Sequence, residues 1–95
     1  MNIKNFYDLS ARFDKRQSFY GKAHVVEWED GSITLRSYDT DIIKLIPTKH
    51  KFVKLYADYS ATTNRHIQEF SKQNDLPINK WADFDKLELN TEYSY

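Results

Sequence analysis

Three histidines, His24, His50 and His66, and the Asp-x-Asp pair Asp39 and Asp41 are groups whose chemistry could be catalytic or metal-binding in this chain. Paired carboxylates can hold a divalent cation when other oxygens converge on it. With His66 they would suit a small hydrolase or nuclease, provided all three meet within a few ångströms. The competing reading is plain turn chemistry. Asp39-Thr40-Asp41 follows an alternating segment, where Asp and Thr side chains bond their own backbone. No two histidines have the helix-face spacing of a metal pair, and the chain has no cysteine, so a zinc ribbon, a disulfide scaffold and a thiol nucleophile are excluded. Gly21 and Gly31 are the whole glycine complement, too few for a phosphate-cradling loop, and there is no G-x-S-x-G elbow. The sequence predicts a protein that is not an enzyme and carries no cofactor.

Binding chemistry is better represented. Tyr59-Ser60-Ala61-Thr62-Thr63-Asn64-Arg65-His66-Ile67-Gln68-Glu69-Phe70 reads as a capped helix start. Ser60, Thr62, Thr63, Asn64, Arg65, His66 and Gln68 are side chains of the kind that contact phosphates, base edges or a protein partner. A helix N-terminus adds partial positive charge. Lys49, His50, Lys51 and Lys54, interleaved with Phe52 and Tyr56, precede it as a possible basic aromatic surface. A second candidate lies at the other end. Asp83, Asp85, Glu88 and Glu92, beside Phe84, Tyr93 and Tyr95, could present negative charge to a basic groove on a protein. The bland readings are a solvated helix and a solvated tail.

Charge does not decide between them. Residues 1–54 hold ten Lys+Arg against seven Asp+Glu, and residues 55–95 hold four against seven, so the halves carry +3 and −3 and the chain is neutral. Neither half is basic enough to require nucleic acid. Aromatics make up 16% of the 95 residues, which argues against disorder and for one small folded domain. No apolar run approaches the roughly 20 residues of a membrane span. The expected location is the cytosol, away from membranes.

Several elements must position these groups. Ile3, Phe6, Leu9 and Phe13 recur near a 3.6-residue period and predict a short amphipathic helix over 3–13. Ala23–Glu29 and Ser32–Tyr38 alternate on either side of Asp30-Gly31, the signal of a type I′ hairpin with a two-residue loop. That loop sets Trp28 opposite Ile33, Val26 opposite Leu35 and His24 opposite Ser37, all on the core face, with Glu27 and Arg36 as a diagonal ion pair. Ile42–Ile46 and Lys51–Tyr56 read as two more strands. A helix with Ser60 or Thr62 as its N-cap runs to about Asn74, before Pro77. Trp81 and Phe84 dock a final helical turn, and residues 87–95 form a tail or a late edge strand. The fold expected is α+β: an antiparallel sheet of about four strands against one main helix, with short N- and C-terminal additions. Residues 1–95 form one domain, with its core over about 18–74 and a C-terminal extension over 75–95. Val26, Trp28, Ile33, Leu35, Ile43, Leu45, Ile67 and Phe70 are the expected core.

Ser18-Phe19-Tyr20-Gly21-Lys22-Ala23, Leu35-Arg36-Ser37-Tyr38-Asp39-Thr40 and Tyr59–Phe70, taken in that order, resemble a family of small uncharacterised proteins from phages and other mobile elements of low-GC Gram-positive bacteria. The resemblance covers residues 18–72. It implies that the Ser-Tyr-Asp-Thr turn and the helix start lie near each other. It also implies a setting in which small non-enzymatic proteins bind and inhibit host proteins, such as nucleic-acid-acting defence effectors in the manner of an anti-CRISPR. The alternative is a nucleic-acid-binding accessory or regulator using the helix that starts near Ser60. The partner's identity and the oligomeric state are not legible in the sequence.

Overall fold

The computed structural model describes residues 2–10, 12 and 22–95. Six strands form one antiparallel sheet in sequential order: β1 (Ile3–Asp8), β2 (Ala23–Trp28), β3 (Ile33–Ser37), β4 (Thr40–Ile46), β5 (Lys51–Lys54) and β6 (Glu92–Ser94). A 3₁₀ turn, Pro47–Lys49, joins β4 to β5. The main helix α1 (Ala61–Gln73) and the short helix α2 (Trp81–Asp85) lie between β5 and β6 in the chain. The class is α+β. The two strands beyond the expected four are the sheet's edges, one from the N-terminal segment and one from the C-terminal tail.

The N-terminal segment is a strand through residue 8, not a helix. The helix-like spacing has a local cause. The β1–β2 register slips between Ile3 and Asn5, so Ile3 faces Trp28 while Asn5 faces Glu27. A β-bulge adds one residue to one strand, and a three-residue step from Ile3 to Phe6 therefore returns to the same face. Phe13 lies outside the described residues, as do Ser18–Gly21 of the first family-like block.

The β2–β3 hairpin forms where expected but in a different register. His24 faces Arg36, Val25 faces Leu35, Val26 faces Thr34 and Glu27 faces Ile33. The loop holds three residues. Gly31 N–H bonds Trp28 O at 3.0 Å, and Trp28 N–H bonds Ser32 O at 3.0 Å. Gly31 sits at φ 89°, and Asp30 is not among the positive-φ residues. This is a type I turn closed by a left-handed residue, the three-residue alternative to the two-residue primed turn. Asp30 Oδ1 holds the return by accepting from the Ser32 backbone N–H at 2.9 Å and the Ser32 hydroxyl at 2.6 Å.

One extra loop residue moves β2 to the opposite side relative to β3. Val25 and Leu35 therefore share the core face with Ile43, Leu45 and Phe52, and the core continues through Leu9, Ile67, Phe70, Leu76, Ile78 and Phe84. Ile33 packs against it, partly buried. Val26 is buried and Trp28 half-buried, but alternation places both on the other face. The expected Glu27–Arg36 pair does not form. Glu27 accepts from Asn5 and Tyr7, at 2.8 and 3.0 Å, and Arg36 pairs with Asp41 at 2.7 Å.

Helix α1 begins and ends as its sequence dictates. The Ser60 hydroxyl accepts from Thr63 N–H at 3.2 Å, and Asn74 caps the C-terminus. Its buried side is Thr63, His66, Ile67, Glu69, Phe70 and Ser71, a polar-laced stripe that meets β3 through hydrogen bonds as well as apolar contact. No helix among the described residues is long and apolar enough to cross a membrane.

Candidate functional site

The helix start is largely turned inward. His66 is fully buried, and its Nδ1 lies 2.8 Å from the hydroxyl of Ser37. The same hydroxyl lies 2.9 Å from Thr63 Oγ1. These bonds bring the Ser37-Tyr38-Asp39-Thr40 turn against the first turns of α1. Tyr38 makes the turn at φ 55°, an unusual conformation for a bulky residue, with its ring 6.0 Å from that of His66. Ser60, Thr63 and His66 are thus engaged in capping and packing. Thr62, Asn64, Arg65 and Gln68 stay partly exposed, with Gln68 Nε2 donating to Asn64 Oδ1 at 3.5 Å.

Asp39, Asp41 and His66 do not assemble. Asp41 pairs with Arg36 across the bulge on the face away from α1, whereas His66 is on the buried side of α1. Among the described residues no group of three or more His, Cys, Asp or Glu could hold a metal ion. The basic aromatic run also divides. Phe52 and Lys54 are buried, and Lys51 donates to Ser94 Oγ at 2.7 Å.

Lys54 has a different task, one that sequence reasoning missed. Its ammonium is buried and donates to the carbonyl oxygens of Phe84, Asp85 and Leu87, each at 3.1 Å. It also lies 4.9 Å from the centre of the Phe84 ring. Three donors on one ammonium reach three carbonyls at and just beyond the end of α2, where helical carbonyls run short of partners; of these, Phe84 O also accepts from Leu87 N–H at 3.1 Å. Phe84 is fully buried, edge-on to Tyr59 at 5.5 Å. Burial raises the pKa of the Tyr59 hydroxyl, and the charge of Asp85 adds to the effect. At the other end of α2, Asp83 Oδ2 accepts from Asn79 N–H at 2.9 Å. That backbone bond holds its carboxyl below the usual range, with desolvation opposing and Lys86 and Lys80 assisting.

Helix α2 is therefore fixed by Phe84 and Lys54, and it carries Trp81, 52% exposed, on its outside. Asp85 and Glu88 are exposed nearby in the chain, and Leu89 is 46% exposed. Glu92 sits in β6 opposite Val53, apart in sequence from this group. The acidic aromatic end so becomes an anchored surface with an indole in it. The sequence named the acids. It assigned Trp81 to docking with Phe84, whereas Phe84 alone is buried.

A second exposed area lies on the sheet face away from α1. Phe6 is 50% exposed, stacked on His24 at 4.8 Å, with the Arg36 guanidinium 5.9 Å from its ring centre. His24 Nε2 also meets Asp8 Oδ1 at 3.0 Å. Trp28 donates its indole N–H to Thr34 Oγ1 at 2.8 Å. Beside it a shallow pocket of about 290 Å³ is lined by Trp28, Ser32, Thr34, Asp41, Lys44 and Leu55.

The sequence profile of a family of unknown function (DUF8033) matches residues 7–86. The match begins near the end of β1 and takes in all of α2, so it reaches beyond the 18–72 segment of the sequence resemblance. No curated protein matches the chain. No solved structure matches it.

Proposed function

Since the chain belongs to this family of unknown function, which brings no activity with it, we propose from its surface that it is a non-enzymatic binding domain. It engages and inhibits a host protein, a nucleic-acid-acting defence effector, through the acidic surface around α2. The setting is a phage or mobile element of low-GC Gram-positive bacteria, on the strength of the three sequence blocks. The observation that carries the reading is Trp81, half exposed on an anchored helix beside Asp85. Tryptophan is the residue most enriched where interfaces concentrate their energy, and nearby charge steers the encounter. Asp85 and Glu88 would meet a basic groove of the kind used to hold nucleic acid.

Affinity capture from host lysate with the tagged intact chain, with and without nuclease, tests it. A stoichiometric partner that survives nuclease is expected. W81A should weaken that capture by at least tenfold while leaving the circular dichroism spectrum and melting temperature unchanged. The charge reversal D85K/E88K should slow association and flatten its salt dependence. Capture unaffected by both variants would remove this surface from the reading. The alternative, a nucleic-acid contact at the helix start, retains Thr62, Asn64, Arg65 and Gln68 as partly exposed side chains. In that case capture would be lost with nuclease and R65A would reduce it.

A further inference from the structure

We propose that the sheet face opposite α1 is a second, independent site that takes unpaired bases of a single-stranded nucleic acid, stacked on Trp28 and Phe6. Phe6 and Trp28 lie on adjacent antiparallel strands, Phe6 facing Val26 two residues before Trp28. Such diagonal neighbours stand about 7–8 Å apart, a step that two splayed bases can bridge. Each ring is held from below or beside. The Phe6 ring stacks on His24 and has the Arg36 guanidinium nearby. Trp28 is pinned by its bond to Thr34. That bond uses the indole's one donor, so what Trp28 offers a ligand is its aromatic face.

The chemistry beside the rings favours a base over an apolar side chain. The pocket at Trp28 carries an ammonium, Lys44, and a carboxylate, Asp41, with Leu55 as its apolar part. A planar heteroaromatic ring stacked on an indole presents both acceptors and donors at its edge, and these two groups match them. Lys44 lies on the same face, opposite Thr34 on the adjoining strand, as the cation for a phosphate backbone. Exposed Phe6 and partly exposed Trp28 suit single strands, whose bases are free to stack on aromatic side chains. Asp41 is paired with Arg36 at 2.7 Å, which limits its repulsion of a polyanion.

The probe is fluorescein-labelled dT12, with rU12 and a 12-base-pair DNA duplex as comparisons, titrated with the intact chain at low and moderate salt. Saturable binding to the single strands, with weaker binding to duplex and quenching of tryptophan fluorescence, is expected. F6A and W28A should each weaken binding about tenfold, W28F should restore most of it, and K44A should lower the salt slope by about one ion. W81A should leave it unchanged, which separates this site from the α2 surface. Absence of saturable binding, equal binding to duplex, or indifference to F6A in a folded variant would overturn the proposal. Loss of a captured protein in F6A, without oligonucleotide binding by the intact chain, would overturn it too and make the face a protein contact.

Discussion

Lys54 shows how much one side chain can decide here. A lysine in a short alternating strand reads as surface charge, yet this one is buried and ends among three backbone carbonyls. Its long stem crosses the core side of β5 and its head closes α2. Replacing it by methionine keeps the apolar stem and removes all three bonds, taking that partner from the Asp85 and Leu87 carbonyls while Phe84 O keeps Leu87 N–H. The expected cost is about 2–3 kcal/mol, read as a lower urea midpoint. Because α2 carries Trp81, K54M should also weaken partner capture under conditions where the remaining sheet is folded. An unchanged midpoint would mean that the carbonyls find other partners. Ser37 is the complementary case, a small hydroxyl that reaches both Thr63 and His66 and ties β3 to α1.

At the scale of elements, the hairpin depends on Gly31. Nothing lies within 4 Å of a Cβ built there, so space does not restrict the position. The φ of 89° does. G31A should therefore cost about 1 kcal/mol through backbone strain alone, and G31N less, since Asn tolerates left-handed conformations. Equal stability of G31A and the parent in urea would contradict that account. The same hairpin marks the boundary of what could be read from sequence. Strands β2 to β5, a helix starting near Ser60 and its stop before Pro77 follow from local pattern, which leaves 87–95 open between a tail and an edge strand. The register does not, because Asp-Gly serves both a two-residue and a three-residue loop, and Glu29 decides by joining the turn. Nor was β1 readable as a strand, since its bulge imitates helical spacing. Of the candidate contacts, the acids near α2 were identifiable by composition. The inward turn of Thr63 and His66 was hidden because their partner, Ser37, lies 26 and 29 residues away. The open face was concealed by the one-residue shift that put Trp28 on it.

For the whole molecule, a few groups tie stability to pH at the acid and alkaline ends. Hydrogen bonds from Ser32 hold the Asp30 carboxyl below its usual range, those from Asn5 and Tyr7 do so for Glu27, and that from Asn79 for Asp83. A lowered folded pKa gives stability that is complete above the unfolded carboxylate value and is lost as pH falls through the folded one. Tyr7 and Tyr59 are shifted the other way, first by burial and then by Glu27 and Asp85 respectively. Their contribution is present below the ordinary phenol range and is lost as pH rises through their raised values. These groups should therefore lower the melting temperature at acid and at alkaline pH. D30N/D83N should flatten the acid limb, and an unaltered limb would assign acid unfolding to other groups. The three-residue loop at 29–31 has a last consequence, for evolution. An exposed loop tip is ordinarily where insertions and deletions accumulate without harm. Here the gain or loss of one residue would exchange the two sides of a strand, bringing Val26 and Trp28 inward and sending Val25 out. Descent of this chain should thus conserve the length of that tip more strictly than its composition, and lineages that change it must rebuild both sides of the strand together.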